Sequence, residues 1–484
     1  MSGSLQGLRR HWPWAVVLLA SIACVAQASQ FVWRGDDAFI TFAYARNWVA
    51  GHGVVFNVGE RVEGYTCFLW VALSALGMVL GFDVFNWSVG VGVLAAVGAL
   101  TAAWQLARAC LPERLADWGV LAALAVGVYP PLAWWAGSGM ETTLFTFLVT
   151  TALCLHVRAG AGSTAAPICL ALASMTRPEG WLLATLAALD AVRQGPGRRA
   201  ARYIAMFMAL FAPYYLWRFG YYGAALPNTF YAKVGTSGSQ IWRGLGYLLA
   251  FFVVGGGWYL FPGAVLPCLF RGGRRPPLVY AFLGAYVAYV IAVGGDFFQG
   301  FRFFLPTVPT LAVLFTVGMV GWADRARRPR RAAAVCTAAV FMVLWSDWRM
   351  YRMQQADLAV FNQIWDAQTK ACQRILRETS PDDAVATIGV GILKFCTGRR
   401  VIDMAGLTDA HIAHRSIDTV GHGLPGHEKY DSLYVLEQRP KFIVIPRPET
   451  FQGIPLAPLS DMWQQPLLRQ NYTPDALGYR RSGP

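Results

Sequence analysis

Two adjacent carboxylates, Asp36 and Asp37, directly follow the first apolar segment of the chain and open a polar stretch of residues 34–65. A carboxylate just outside a membrane span can take a proton from a hydroxyl group and so act as a general base. The alternative is structural, because Asp37 can cap a helix that runs from Ala38 to Val49. Both hold if one carboxylate caps while the other stays free. We treat the pair as one unit, since adjacent carboxylates can titrate together.

The composition is that of a membrane protein that crosses the bilayer several times. Hydrophobic residues make up 56% of the 484 residues and charged residues only 14%, and apolar stretches of about 20 residues, long enough to cross a bilayer, recur along the chain. The net charge of +14 comes from arginines in short loops, where they set topology. No basic surface interleaved with aromatic residues points to a nucleic acid. The nine cysteines show no metal-binding spacing.

The arginine-rich joints between the apolar segments determine the predicted topology. These joints lie at residues 108–114, 158, 193–202, 271–275 and 323–331, and the positive-inside rule places all of them in the cytoplasm. All of these joints lie in the cytoplasm only if one, and not both, of the two segments 66–82 and 88–107 crosses the membrane. We therefore predict a juxtamembrane helix over residues 66–82, about eleven spans in total, and a first outer loop of residues 34–65.

This topology gathers the carboxylates and the isolated bases on one face. The other outer loops carry Arg177, Lys233 and Arg302, whereas the centres of the spans are almost free of charge. A transporter usually has its functional charges near the middle of the membrane, so this distribution favours chemistry at the outer face.

The last third of the chain has a different composition and predicts a second domain. Residues 1–346 are expected to form the membrane domain and residues 347–484 a small α/β domain on the outer side. We predict a helix over residues 354–378, strands at 384–390, 401–403 and 441–446, a helix near 430–437, and a loop after residue 446. If this part lies outside the cytoplasm, Cys372 and Cys396 can form a disulfide.

These residues suit the transfer of a sugar from a lipid phosphate. Such a reaction needs a carboxylate that deprotonates the acceptor hydroxyl, cations that hold the leaving phosphate, and a groove for the lipid. Each base also has a structural alternative. Lys233 can extend to the membrane interface, Arg302 can pair with Asp296, and Arg177 can pair with Glu179. Glu141 and Glu179 can serve as acids at helix starts.

Several motifs resemble one family of enzymes. The run DDAFITFAYARNWVAGHGVVFNVGERVEGYTCFLW is similar to the first outer loop of the membrane glycosyltransferases of GT-C type, in particular the actinobacterial terminal β-(1→2) arabinofuranosyltransferases of cell-wall arabinan. The resemblance continues, in order and over most of the chain, with SGMETTLF, TRPEG, PNTFYAK, GGDFFQGFRFFLP, VIDMAGLTDAHIA and GHEKYDSLYVL.

The resemblance implies a GT-C fold and an inverting transferase that uses a decaprenyl- or undecaprenyl-phosphate sugar. An acid of the first outer loop would be the base, which corresponds to Asp36 or Asp37, and Lys233 and Arg302 would face the donor phosphate. Related GT-C enzymes sometimes bind a divalent cation near this acid, so we treat a metal as optional and expect no required cofactor. We add Arg177 to the phosphate-binding residues. The predicted substrate-binding residues are Arg46, Glu63, Tyr65, Glu141, Glu179, Asn228, Tyr231, Asp296 and His427.

The sequence therefore predicts an enzyme of the bacterial inner membrane whose active site faces the periplasm. It would transfer a pentofuranose from a polyprenyl phosphate to a hydroxyl of a periplasmic glycan or glycoprotein, and the pentofuranose we expect first is D-arabinofuranose. One alternative is the same chemistry with a hexose or an aminopentose on lipopolysaccharide, flagellin or pilin. Others are a lipid-linked-sugar transporter and an adaptor that binds a partner through residues 347–484.

Overall fold

The computed structural model describes residues 2–195, 197–235, 238–258, 260–261, 265, 276–298, 300–326, 329–417, 421–448 and 456–482. Its helices in the membrane part are α1 Ser2–Gln30, α2 Asp36–Val49, α3 Phe68–Val79, α4 Val84–Cys110, α5 Val120–Gly127, α6 Pro130–Ala136, α7 Thr142–Ala159, α8 Ala165–Thr176, α9 Gly180–Gln194, α10 Arg198–Tyr222, α11 Asn228–Lys233, α12 Gly238–Val253, α13 Pro277–Ala292 and α14 Val308–Arg325. The predicted arginine joint at residues 271–275 lies outside the described residues.

Several of these helices can cross a membrane. In the described part of the chain, four are long and apolar enough, or up to five if the bent pair of residues 113–127 and α6 counts as one span. Three shorter apolar helices, α3, α8 and α13, accompany them. The protein is thus a multi-pass membrane protein, and the total of about eleven spans stays a prediction. The predicted juxtamembrane segment does contain a helix, α3, although its depth in the membrane is likewise a prediction.

A long helix joins the two parts of the chain. Helix α15, Pro329–Glu378, has 50 residues and runs without a break across the predicted boundary between residues 346 and 347. The α/β region follows it, with helices α16 Val390–Thr397, α17 Ala410–Ala413, α18 Ser432–Glu437, α19 Ala457–Gln464 and α20 Pro466–Asn471. The predicted disulfide between Cys372 and Cys396 is present and links α15 to α16, with 6.2 Å between the α-carbons.

A five-stranded mixed sheet lies at the centre of this region. The strands are β1 Ala384–Thr387, β2 Arg400–Asp403, β3 Phe442–Val444, β4 Tyr472–Asp475 and β5 Gly478–Arg481, in the order β2-β1-β3-β5-β4. Strands β1, β2 and β3 pair in parallel, and β5 pairs antiparallel to β3 and β4. The small α/β domain expected from the sequence is therefore confirmed.

The prediction of a loop after residue 446 was wrong. Helices α19 and α20 and the hairpin β4–β5 lie there. The prolines that suggested a loop, Pro458 and Pro466, stand in the first turns of these two helices, where the missing N–H costs nothing. Strand β1 is also shorter than predicted, because the chain enters α16 at Val390.

Helices α2 and α16 lie in close contact, and this contact brings the two parts of the protein together. A Cβ atom added at Gly391 would collide with the backbone carbonyl of Asp36 and approach the backbone nitrogen of Ile40 to 2.7 Å. Only a residue without a side chain fits between the two backbones. The glycine therefore sets how closely α16 packs on the first outer loop.

We expect the substitution Gly391→Ala to lower the free energy of unfolding by about 1–3 kcal/mol, because overpacking forces backbones apart. Thermal unfolding of the detergent-solubilised protein measures this change. The matched control is Gly90→Ala in α4, where an added Cβ meets no atom within 4 Å. Equal stability of the two variants would contradict the close packing of α2 on α16.

Candidate active site

A cavity of about 440 Å³ opens beside the first turn of α2 and collects residues from the loops predicted to lie outside. Its charged lining residues are Asp37, Glu141, Arg177, Glu179, Lys233, Asp296 and Arg302, and Tyr65 and Tyr289 add hydroxyl groups. Eight residues predicted as site residues from the sequence are thus brought together, although they come from five separate segments of the chain.

The two adjacent carboxylates point to different partners. Helix α2 begins at Asp36 with Gly35 at its N-cap, and no side chain caps it, so the prediction that Asp37 caps this helix was wrong. The carboxylate of Asp36 instead accepts hydrogen bonds from the backbone N–H groups of Gly391, at 2.9 Å, and Ile392, at 2.8 Å. Asp36 therefore acts as the cap of α16, a helix 355 residues further along the chain.

The environment of Asp36 is that of a structural acid. Burial raises its pKa to about 7, although the two backbone N–H donors favour the charged form. Arg46 lies in the last turn of α2. It donates to the carbonyl oxygens of Lys394, at 3.2 Å, and Phe395 in the last turn of α16. Helix α2 thus holds α16 at both ends, with an acid at the positive end of its dipole and a base at the negative end.

Asp37 lies in the cavity and contacts one cation. Arg302 donates to Asp37 at 3.3 Å and to both carboxylate oxygens of Asp296, at 2.8 and 3.0 Å. The guanidinium also packs over the ring of Phe298, with 4.8 Å between the guanidinium carbon and the ring centroid. Arg302 is therefore oriented by Asp296 and an aromatic ring, as the alternative for this residue predicted, and holds Asp37 by a single longer contact.

A second buried arginine lies across the cavity. Arg177 donates to Glu141 at 2.7 Å and to Glu179 at 2.5 Å, so its predicted pairing with Glu179 is confirmed. The hydroxyl of Tyr289 lies 3.4 Å from Glu179. Arg177 and both of its acids are less than one tenth exposed, and a buried charge group of this kind is stable only when every member is paired.

Lys233 is the cation of the cavity whose charge is not neutralised by an adjacent acid. In the part of the chain that the structure describes, no hydrogen bond or ion pair joins its ammonium group to another residue. Burial lowers its pKa below the ordinary value, and the nearby Asp37 carboxylate opposes this shift. Gly426 packs against the lysine stem, because an added Cβ there would lie 2.9 Å from its Cε.

Five predicted substrate-binding residues lie elsewhere or bond within the protein. Arg46 holds α16. Glu63 forms a buried ion pair with Arg218, whose Nε lies 3.0 Å from its carboxylate. Two others bind the α/β region: the amide of Asn228 donates to the carbonyls of Gly406 and Leu407 at 2.9 Å, and the ring of Tyr231 stacks on His414 with 4.3 Å between centroids. His427 belongs to the α/β region and packs edge-on against Phe297 of the membrane part, close enough to Lys233 and Asp37 for their charges to act on it.

The sequence reasoning missed one residue that lines the cavity, Tyr289, and one that neutralises a predicted site residue, Arg218. Arg218 neutralises Glu63, and its position at the end of an apolar segment was a usable signal, because a charge there needs a partner. Tyr289 contacts Glu179 and lines the cavity. It stands in an apolar run where nothing in the sequence separates it from other interfacial aromatic residues.

The lining residues do not fit a divalent cation. Within the described ranges, no three His, Cys, Asp or Glu side chains are placed together as metal ligands. The guanidinium of Arg302 lies between Asp37 and Asp296, so a positive charge already stands between the two carboxylates that a cation would bind.

Comparison with known proteins identifies relatives of this chain. The protein family described as "Domain of unknown function (DUF8728)" matches residues 359–477. The terminal beta-(1->2)-arabinofuranosyltransferase of Corynebacterium glutamicum is 29% identical over 328 residues, which cover 57% of this chain and 46% of that protein. The chain thus aligns with less than half the length of this relative, and the resemblance predicted from the motifs is confirmed.

Two solved structures share the fold. One is ArnT from Cupriavidus metallidurans bound to undecaprenyl phosphate, with a TM-score of 0.55, 15% identity, and coverage of 81% of this chain and 85% of that one. The other is the archaeal oligosaccharyltransferase AglB from Archaeoglobus fulgidus in complex with an inhibitory peptide and a dolichol-phosphate, with a TM-score of 0.54, 12% identity, and coverage of 82% and 65%. The predicted GT-C fold is confirmed.

We expect Asp36→Ala to destabilise the protein and Asp37→Ala to leave its stability nearly unchanged. The first substitution leaves two N–H groups of α16 without their acceptor, at a cost of about 1–3 kcal/mol, whereas the second removes one 3.3 Å contact. Thermal unfolding of both variants under the same conditions measures the difference. The opposite order of stability would contradict the assignment of Asp36 as the cap of α16.

Proposed function

We propose that this chain is a membrane glycosyltransferase that transfers a sugar from a polyprenyl phosphate to an acceptor hydroxyl at the outer face of the bacterial inner membrane. The observation that carries the proposal is the pairing, within one cavity, of a partly exposed carboxylate, Asp37, with an uncompensated ammonium group, Lys233. A base and a phosphate-binding cation are the two groups that this reaction requires.

Asp37 is the acid best placed to serve as general base. Its side chain is 25% exposed, whereas those of Asp296, Glu179 and Glu141 are 3%, 1% and 7% exposed. The other three acids each contact an arginine at 2.8 Å or less. Asp37 has one contact of 3.3 Å and so keeps acceptor capacity for the proton of an incoming hydroxyl.

Lys233 would hold the phosphate of the donor. The leaving phosphate gains negative charge on its oxygen as its bond to the sugar breaks, and a buried ammonium group beside it stabilises that charge more strongly than it would in water. Arg302 lies on the same side and would add a second positive charge, although Asp296 and Asp37 share it. Arg177 is fully used by Glu141 and Glu179, so we assign it the positioning of those acids rather than contact with phosphate.

The walls of the cavity support a lipid-linked donor. Trp181 and Leu182 of α9, Phe230 of α11 and Val293 at the end of the apolar helix α13 line it beside the charged residues. An isoprenoid chain could pack on these side chains while its phosphate reaches Lys233. The neighbour ArnT, which has the same fold, was solved with undecaprenyl phosphate, which favours this class of donor.

The disulfide between Cys372 and Cys396 supports a location outside the cytoplasm for the α/β region, because disulfides persist in oxidising compartments. Since α16 is held by α2, the cavity would face the same side.

For the sugar we propose D-arabinofuranose, from the likeness to the arabinofuranosyltransferase of Corynebacterium glutamicum, with inversion at the anomeric carbon in a single displacement. A hexose or an aminopentose is the alternative.

We expect Asp37→Asn to reduce sugar transfer by about 10²–10⁴-fold, because the amide cannot accept the proton of the acceptor hydroxyl. The measurement is release of polyprenyl phosphate by the full chain in nanodiscs, with a panel of polyprenyl-phosphate sugars and an envelope extract as acceptor. Asp36→Asn is the matched comparison. Its amide oxygen still accepts one of the two N–H groups of α16, so turnover per folded molecule should fall much less than in Asp37→Asn.

Full activity of the Asp37→Asn variant would refute the assignment of the base. Release from a hexose or aminopentose donor alone would keep the mechanism and discard arabinose. No release from any donor by the unmodified chain would refute the transferase and favour transport of a lipid-linked sugar.

The lowered pKa of Lys233 predicts an alkaline limit to donor binding. Because burial lowers this pKa, the ammonium loses its proton at a lower pH than a free lysine, and kcat/KM for the donor should fall as pH rises through that lowered value. Lys233→Arg stays charged over this range, so its alkaline limb should lie at higher pH. The pH profile of kcat/KM measures both, and coincident alkaline limbs would contradict the role of Lys233.

A further inference from the structure

A second cavity of about 400 Å³ lies on the other side of α2 from the first one. Its walls come from the start of α4 and from α15 and α16, which the disulfide joins. Four aromatic side chains and two charged ones define its character: Phe39, Phe85, Trp365, Phe395, Arg34 and Asp83. The reaction described above uses none of them.

Arg34 is held between two aromatic rings without a charged partner. Its guanidinium carbon lies 4.6 Å from the ring centroid of Phe85 and 5.1 Å from that of Trp365, so the faces of the guanidinium are covered. Across the described segments of the chain, no carboxylate or carbonyl accepts a hydrogen bond from its side chain. Its in-plane N–H donors are therefore available to a ligand.

Asp83 gives the same cavity an acceptor. Its Oδ1 accepts a hydrogen bond from the backbone N–H of Asn86 at 2.9 Å, which caps α4, and its other oxygen can accept from a ligand. Donors, an acceptor and aromatic faces together suit a neutral sugar, whose C–H face packs on a ring while its hydroxyls bond to the charged groups. An isoprenoid chain would leave both charges unsatisfied, and Asp83 would repel an anion.

The short distance between this cavity and Asp37 suits the binding of a sugar residue that belongs to the acceptor. Arg34 stands three residues before Asp37, so their α-carbons are at most about 11 Å apart. Phe39 stands two residues after Asp37 and lines the second cavity, whereas Asp37 lines the first. The first turn of α2 thus separates the two cavities by a distance that a short run of sugar residues can bridge.

We propose that the second cavity is an acceptor subsite, which binds a neutral sugar residue of the acceptor glycan and so presents a neighbouring hydroxyl to Asp37. This inference rests on the proposed function for the identity of the ligand as acceptor. The half-buried Trp365 gives the sugar an apolar wall, Arg34 donates to the sugar hydroxyls through its in-plane N–H groups, and Asp83 accepts from them. The disulfide joins α15, which carries Trp365, to α16, which carries Phe395.

The test measures binding of an arabinofuranose oligosaccharide to the full chain in nanodiscs, without donor, by saturation-transfer NMR and titration. We expect Arg34→Met and Trp365→Leu each to weaken binding by about 10-fold or more. Thr369→Trp places an indole in the cavity from α15 and leaves all the proposed contact residues in place, so it should weaken binding even if the other variants fold poorly. The matched control is Trp348→Leu, an exposed tryptophan of the same helix outside the cavity.

Unchanged oligosaccharide binding in the Thr369→Trp variant would overturn the proposal. So would competition by inorganic phosphate, which would make the cavity an anion site. Because no donor is present, the outcome is independent of catalysis: an enzyme that fails to release polyprenyl phosphate but binds the oligosaccharide here refutes the proposed function and keeps the subsite. A chain that releases polyprenyl phosphate but binds no oligosaccharide refutes the subsite alone.

Discussion

The hydrogen bonds from the N–H groups of Gly391 and Ile392 to the carboxylate of Asp36 are the interaction on which the arrangement of the site depends. They fix α16 against the first outer loop, and Arg46 completes the attachment at the other end of that helix. The disulfide then ties α16 to α15. As a result, the α/β region is part of the wall of both cavities rather than an appended module, and one acid of the adjacent pair is committed to structure.

Because Asp36 caps α16, Asp37 is the acid of the pair that can act on a substrate. The charges around Asp37 follow a consistent rule. Burying a charge is costly unless it is paired, and the cavity meets this condition by giving Arg302 and Arg177 two carboxylates each. The groups left incompletely compensated are Asp37 and Lys233. Incomplete compensation inside a cavity is costly for stability, and it is what a base and a phosphate ligand need in order to act on a substrate.

The sequence predicted the membrane class, the GT-C fold, the small α/β domain and the set of outer-face residues that form the cavity, because these follow from apolar length, arginine placement and motifs. It did not predict which acid of the pair is free, since the partner of Asp36 lies 355 residues away. Asn228 and Glu63 were assigned to substrate for a related reason: a polar loop residue that bonds a distant backbone or a distant arginine has the same local sequence as one that bonds a ligand. The helices after residue 446 were missed because proline both starts helices and ends them.

The most direct test of this account is a cryo-electron microscopy structure of the full chain in nanodiscs with an unreactive phosphonate analogue of a polyprenyl-phosphate sugar. We expect density for the phosphonate within about 3 Å of the ammonium nitrogen of Lys233, with the anomeric carbon facing Asp37 and the isoprenoid chain along Trp181 and Leu182. A phosphonate bound instead at the arginines of the opposite face, such as Arg193, would contradict this assignment, because Asp37 would then not lie beside the reacting carbon.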